Sequence, residues 1–349
     1  MKMTQDTTAK ATRRLPAEWE PQSFLQLTFP HANSDWEYML DEATRCFVDI
    51  IDAARPYQQV LVVCDDIKRV RSFFNDTENL CFTEAPLNDT WARDHGGITV
   101  LEAGKAIVQD YIFNGWGNKF EAGLDNQITS QLFNQRLLQN CSLESFDFVL
   151  EGGSIESDGK GTILTTSDCL LEKNRNPHYS KQEIENILLT NFGAERVLWL
   201  DNGYLAGDDT DSHIDTLARL CNEDTIAYVG CNHPEDEHYD ALQKMKLELQ
   251  QLQKADGTPY RLVELPFPDA CFDSEGNRLP ATYANFTIIN KAVLVPVYGV
   301  SQDEDAVEIL ASCFPERKII PVNCRVLIEQ HGSLHCVTMQ YPEAVKLKS

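Results

Sequence analysis

Residues 24–64 read FLQLTFPHANSDWEYMLDEATRCFVDIIDAARPYQQVLVVC. The stretch opens with a short apolar run, Phe24 to Phe29. It continues with Trp36, Leu40, Ala43, Phe47, Ile51 and Ala54, which recur at threes and fours. It closes with a second run, Gln59 to Cys64. The spacing predicts strand, amphipathic helix, strand. A helix between two strands predicts that the strands pair in parallel.

The same phrase recurs four more times. Predicted helices carry Leu124, Ile128, Leu132 and Phe133; Ile184, Ile187, Leu188 and Phe192; Leu242, Met245, Leu249 and Leu252; and Ala306, Ile309, Leu310 and Cys313. Ser180, with Glu183 three residues on, predicts a capped start for the helix around Ile184. The preceding strands are expected at Ala106–Phe113, Thr162–Leu170, Thr225–Cys231 and Ala292–Tyr298. The following ones are expected at Phe146–Leu150, Arg196–Leu200, Arg261–Leu265 and Lys318–Val322. They are rich in Val, Ile, Leu and Phe, as strands covered on both faces should be. Five such units suggest radial repetition or a stacked array. One doubly wound sheet would show the same alternation. Its nucleotide-binding version is weakened by the lack of a Gly-rich loop after the first strand.

Composition narrows the function. The chain has 349 residues and a formal net charge of −24, which disfavours nucleic acid and anionic membranes and favours a cationic small molecule. The same charge also serves plain solubility. No apolar run is long enough to cross a membrane. Polar residues 1–14 predict a flexible tail with no visible secretory signal, followed by one domain over residues 15–349. The 11 cysteines are an odd number, scattered, without Cys-x-x-Cys. Together these predict a reduced, cytoplasmic protein whose thiols are mostly buried.

Reactive residue types gather after the post-helix strands. They are Asn88, Asp89, Trp91, Arg93 and Asp94; then Glu151-Gly152-Gly153; then Asp208, Asp209, Asp211, His213 and Asp215; then Asn285; and last His331, His335 and Cys336. Units set about an axis would bring these positions to one centre. Each piece alone has a plain structural reading. Asp94 with Arg93 could be an ion pair, Glu151-Gly152-Gly153 a turn, and Cys336 a small buried hydrophobe. His213 and Asp215, read as strand neighbours two apart, would share a face and satisfy a core hydrogen bond.

The ordered set resembles the agmatine deiminase and bacterial-type peptidylarginine deiminase family from about Leu15 to Pro342. The matching stretches are Leu15 to Pro21 (LPAEWEP), Asn88 to Asp94 (NDTWARD), Leu150 to Glu156 (LEGGSIE), Asn174 to Pro177 (NRNP), His213-Ile214-Asp215 and His335-Cys336. The resemblance implies a five-bladed α/β propeller (pentein) with pseudo-fivefold symmetry, and homo-oligomers. It implies Cys336 as nucleophile, His213 as general acid/base, and Asp94 and Asp215 as the carboxylates that clamp a guanidinium. Trp91 and Asn285 match positions near the substrate, and Glu151 belongs to the same substrate-binding set. Three places depart from the family's habit: His331-Gly332-Ser333-Leu334 before the nucleophile, Ser212 before His213, and His95-Gly96-Gly97 after Asp94. They touch loop shape and leave the four chemical residues intact.

Such residues suit cofactor-free hydrolysis of a guanidinium. Paired carboxylates fix the planar cation by charge-assisted bonds, and a thiolate over that plane attacks its carbon. The resemblance therefore implies deimination of agmatine to N-carbamoylputrescine and ammonia through an S-alkylthiouronium on Cys336. Acidic Asp89 and Asp209 are candidates for the distal amine of a dication. Arginine and peptidylarginine are the alternative substrates. A rival reading is a metal-dependent hydrolase using Asp208, Asp209, Asp211, His213, Asp215, His331 and His335. Another is a catalytically silent binding protein on the same fold.

Overall fold

In the first unit the apolar stripe decides the packing. Helix Leu40–Ala54 buries Ala43, Cys46, Phe47, Ile50, Ile51 and Ala54. Strands Gln22–Thr28 and Gln59–Cys64 run parallel on either side of that crossover, with Phe24 opposite Gln59. A helical crossover is the short way to join parallel neighbours. The computed structural model describes residues 13–208 and 212–348.

The other four units repeat the arrangement. Helices Ile128–Asn134, Lys181–Phe192, Tyr239–Leu249 and Asp303–Cys313 connect parallel pairs. Those pairs are Lys105–Ile112 with Cys141–Val149, Thr162–Thr166 with Arg196–Leu200, Thr225–Val229 with Arg261–Leu265, and Ala292–Val297 with Lys318–Asn323. Ser180 and Glu183 form the expected capping box. The result is a mixed α/β fold with five small sheets, one per unit, and, among the described residues, a sixth two-stranded pair of Leu138–Gln139 with Lys346–Leu347. Among the described residues no helix is long and apolar enough to cross a membrane.

Strands the sequence reading did not anticipate include Leu80–Glu84, parallel to Gln59–Cys64 in the first sheet, and one in each of the five units that lies antiparallel on the far side of the first strand of its parallel pair. Four of the antiparallel strands come just before their unit: Ile98–Glu102, Ile155–Ser157, Ala218–Asn222 and Thr287–Ile289. The fifth comes from the other end of the chain. Strand Met339–Pro342 pairs with Gln22–Thr28 and completes the first sheet. Tyr341 is fully buried there, stacks on Phe24 at 4.4 Å, and donates its hydroxyl to Gln26 at 3.0 Å.

Three expectations need correction. Residues 13 and 14 are not part of a tail. Arg13–Arg14 is a short strand on Ile98–Glu102, held by ion pairs from Arg13 to Glu102 and Glu144. The strand expected to reach Leu170 ends at Thr166. Ser167–Leu170 turns helical because the Thr166 hydroxyl caps it by accepting from the backbone N–H of Cys169. His213 and Asp215 are not strand neighbours. His213 is extended, and Asp215 sits in the 3-10 turn Ile214–Thr216.

The closing strand makes a direct test. Tyr341→Ala should cost about 3–5 kcal/mol, the range for deleting a buried aromatic. Leu247→Ser, at an exposed helical position, should stay within about 0.5 kcal/mol. Urea denaturation of both variants checks the contrast.

Candidate active site

The chemistry-bearing segments share one local design. Each ends just upstream of an antiparallel strand. Turn Ala92–His95 leads into Ile98–Glu102, Gly152–Ser154 into Ile155–Ser157, and Ile214–Thr216 into Ala218–Asn222. Asn285 precedes Thr287–Ile289, and His335-Cys336 precedes Met339–Pro342. Equivalent positions of five units thus carry the reactive side chains.

Three of them crowd around one glycine. A Cβ on Gly153 would lie 2.5 Å from His213 Nδ1 and 3.1 Å from both Asp215 Oδ2 and Asp94 Oδ1. Only a residue without a side chain lets these groups come so close. His213 Nδ1 is 3.6 Å from Asp94 Oδ1, and its Nε2 is 4.0 Å from Glu151 Oε2. Asp94 accepts from Gly153 N on Oδ1 and from Trp116 Nε1 on Oδ2. Glu151 is fully buried and accepts twice from Arg175 Nε, at 2.9 and 3.1 Å.

Asn285 ties the nucleophile candidate to this cluster. Its Oδ1 accepts from His335 N at 2.8 Å and Cys336 N at 3.3 Å, and stands 3.4 Å from Cys336 Sγ. Its Nδ2 donates to the carbonyl of Asp215 at 3.2 Å. So Asn285, expected near the substrate, grips the backbone of the cysteine loop and the aspartate turn together.

Asp215 rests on His335, to which the sequence reading gave a role only as a ligand in the rival metal-hydrolase reading. Its Oδ2 is 2.6 Å from His335 Nδ1, while His335 Nε2 meets Glu18 Oε2 at 2.9 Å. Burial pushes the Asp215 carboxyl up. The hydrogen bond and charge of His335, with His213 and Arg219, more than offset this and hold it below the usual carboxylate range. Among the described residues its other oxygen, Oδ1, is buried without a hydrogen-bond partner. Glu18 is likewise pushed up by burial and pulled well below its ordinary value by Arg219 and His335. Arg219, fully buried, binds Glu18 and Glu156 and donates to the carbonyl of Phe286.

A cavity of about 460 Å³ opens over the cysteine. Cys336 lines it with Asp94, Trp91, Asp89, Asp35, Trp116 and Phe120, and His331 and Gly332 stand at its edge. Gly332 allows the Trp91 ring to lie against the loop, for a Cβ there would sit 2.0 Å from the indole. Asp89 accepts from Trp91 Nε1 at 3.0 Å, and its backbone N–H is held by Asp125 at 2.9 Å. Burial pushes Asp89 up to about 6, against the hydrogen bond from Trp91 and with the charge of Asp35 adding to the rise.

Of the nine residues singled out in the sequence, the structure brings eight together. Cys336, Asp94, Asp89 and Trp91 line the cavity. His213, Asp215, Glu151 and Asn285 are fully buried around them. Asp209 lies outside the described residues, as does Asp211. Two of the other residues named for a metal hydrolase have protein partners of their own. Asp208 Oδ2 accepts from the Thr216 hydroxyl, and His331 Nδ1 meets the carbonyl of Gly207. Two other trios have metal-ligating types within reach, Glu151 with Cys169 and His213, and Glu18 with Glu156 and His335. Arginines already pair with their carboxylates, Arg175 in the first trio and Arg219 in the second. Neither trio therefore suits a dication.

Sequence reasoning missed Asp35, Trp116, Cys169, Arg219 and the supporting roles of Glu18, Glu156 and His335. The last three stand inside the matched stretches. Arg219 carried one usable signal, a lone cation within the apolar run Leu217 to Cys221.

The Porphyromonas-type peptidyl-arginine deiminase family matches residues 14–342. A curated protein of Marinomonas sp. (strain MWYL1), named "Putative agmatine deiminase", is 32% identical over 96% of each chain. A solved structure from Porphyromonas gingivalis, named "Putative Arginine Deiminase", superposes with a TM-score of 0.92 at 50% identity, covering 96% of this chain and 100% of that one. The C. jejuni agmatine deiminase, solved as a cysteine-to-serine variant with substrate bound, gives a TM-score of 0.90 at 41% identity, covering 96% and 97%.

The buried Arg175–Glu151 pair is open to a stability test. Glu151→Ala strands a buried guanidinium and should cost about 3–5 kcal/mol. The loss should appear as a lower urea midpoint with an unchanged slope.

Proposed function

The chain belongs to the Porphyromonas-type peptidyl-arginine deiminase family, and from that premise we propose that it hydrolyses agmatine to N-carbamoylputrescine and ammonia. One observation carries the choice of substrate. The cavity that holds the Cys336 thiol is walled by Asp35, Asp89 and Asp94, and among the described residues no Lys or Arg lines it. Agmatine is a dication with no carboxylate, so acids meet both of its ends. Arginine would bring a carboxylate that wants a basic partner.

We also read the five sheets as blades of a five-bladed α/β propeller of the pentein type. The common placement of five reactive segments upstream of five antiparallel strands supports this. Radial repetition explains why such segments meet.

The reaction follows from the residues around Gly153. Asp94 and Asp215 accept N–H bonds from the guanidinium and fix its plane. Asp215 Oδ1, without a hydrogen-bond partner among the described residues, is a ready acceptor. The Cys336 thiolate attacks the guanidinium carbon, forming a C–S bond and a tetrahedral adduct. His213 gives a proton to the leaving nitrogen, the C–N bond breaks, and ammonia departs. An S-alkylthiouronium remains on Cys336. His213 then takes a proton from water, whose oxygen attacks the same carbon. The C–S bond breaks as the adduct's hydroxyl loses its proton to solvent and becomes the carbonyl, releasing the ureido product and the thiolate. Both carboxylates stay opposite the positive charge through each step.

Ammonia release should be compared for agmatine, arginine and an arginyl peptide. The 50% identical relative named for arginine makes that arm necessary. Agmatine should lead in kcat/KM by at least about a hundredfold, as unmatched polar groups impose on the others. Comparable turnover of arginine would remove the substrate assignment. Cys336→Ala and Cys336→Ser should abolish turnover with the melting temperature kept, and an active variant would remove the nucleophile assignment.

Asp89 gives the pH dependence its sign. It is charged above about 6 and neutral below. The KM for agmatine should therefore rise as pH falls through about 6. Asp89→Asn should show the raised KM at every pH, which steady-state kinetics across the range would check.

A further inference from the structure

The cavity wall contains a segment of unusual backbone. Gly115, Trp116, Gly117 and Asn118 all have positive φ, at 65°, 54°, 86° and 63°. Left-handed residues normally occur singly, and a tryptophan there is strained by its own Cβ. Such strain persists only where the surroundings over-determine it. Here they do. The Asn114 side chain accepts from Gly117 N at 2.8 Å, and the backbone bonds from Asn118 to Asn114 and from Lys119 to Gly115 close the turn. A Cβ on Gly115 would meet the carbonyl of Phe120 at 2.2 Å.

The turn delivers one side chain to the site. Trp116 is buried, with its ring edge-on to Trp91 at 6.2 Å and to Phe120 at 5.6 Å. Its Nε1 donates to Asp94 Oδ2 at 3.1 Å, while Gly153 N donates to Oδ1 at 3.3 Å. A donor on each oxygen fixes the rotation of the carboxylate about its Cβ–Cγ bond. A planar cation needs that rotation fixed, because paired N–H bonds form only when the two planes agree.

We propose that Trp116 is a positioning residue, held in a strained left-handed turn so that its indole N–H sets the plane of Asp94 for an amidinium or guanidinium group. The inference rests on the guanidine reading above and adds the device by which the site tells a planar cation from a neutral amide. The aromatic wall is then the by-product of a donor that must come from this direction.

The test measures alkylation of Cys336 by two reagents of equal size, cationic 2-chloroacetamidine and neutral 2-chloroacetamide. In both the thiolate forms a C–S bond and chloride leaves, and mass spectrometry locates the adduct. Wild-type protein should favour the amidine. Trp116→Phe keeps the ring and loses the N–H, so the amidine-to-amide rate ratio should fall roughly ten- to a hundredfold, as for a lost bond to a charged group. Trp116→His, which keeps a ring N–H, should recover part of the ratio even where the Phe variant folds poorly. In an Asp94→Asn background Trp116→Phe should change the ratio no further. An unchanged ratio in Trp116→Phe, or equal effects with and without Asp94, overturns the proposal while leaving the guanidine reading standing. A wild type with no preference for the amidine overturns both.

Discussion

Arg219 has no contact with solvent, yet it carries a full charge in the middle of the molecule. A buried guanidinium is tolerable only when acceptors surround it. Here they come from three parts of the chain: Glu18 near the start, Glu156 in the third sheet's antiparallel strand, and the carbonyls of Ala284 and Phe286. The guanidinium also lies 4.7 Å over the Phe286 ring. Removing any one acceptor exposes the others to an unmatched charge. The segments that build the site are thereby obliged to keep their relative positions.

The site inherits its precision from that centre. Glu18 meets Arg219 and His335, His335 meets Asp215, and the carbonyl of Asp215 meets Asn285. Asn285 in turn holds the backbone of Cys336. The charge that keeps Asp215 ionised and the bonds that place Cys336 are thus parts of one network. Arg93 makes a second tie, since its backbone N–H donates to the Cys336 carbonyl at 3.1 Å while its neighbour Asp94 faces His213. Acid and thiol are therefore braced against each other through the main chain.

How much of this was legible depended on which physical signal was local. The five helices and the parallel strands around them show in the apolar periodicity, and strands such as Gln59–Cys64 and Arg196–Leu200 have the expected bounds. The antiparallel strands did not show. Ile155–Ser157 and Thr287–Ile289 are three residues long, too short for any period, and follow directly on loop motifs. The partnership of Met339–Pro342 with Gln22–Thr28 joins the two ends of the chain. No local pattern encodes such a pairing. Residue types pointed to the candidate site, because acids, a histidine, an asparagine and a cysteine stand at the equivalent points of the five units. They did not place its supports. His335 reads as part of a motif, but its two carboxylate partners lie 120 and 317 residues away. Trp116 is aimed by a backbone conformation that its residue type disfavours.

The strained turn, the half-satisfied aspartate and the acid-walled cavity share one logic. Each is a cost to the folded chain. Trp116 sits where its Cβ is crowded. Among the described residues Asp215 keeps a buried oxygen without a hydrogen-bond partner. Asp89 is made hard to ionise by burial and by Asp35. A protein selected for stability alone would relax all three. On the proposed reading one ligand would answer them together. A planar cation bonded to Asp94 and Asp215 uses the fixed plane and fills the open acceptor. A second positive charge further out offsets the repulsion between Asp35 and Asp89. On that reading the folded chain stores, in separate places, the complement of a ligand with two cationic ends, and binding energy from the far end would hold the near end beneath the sulfur.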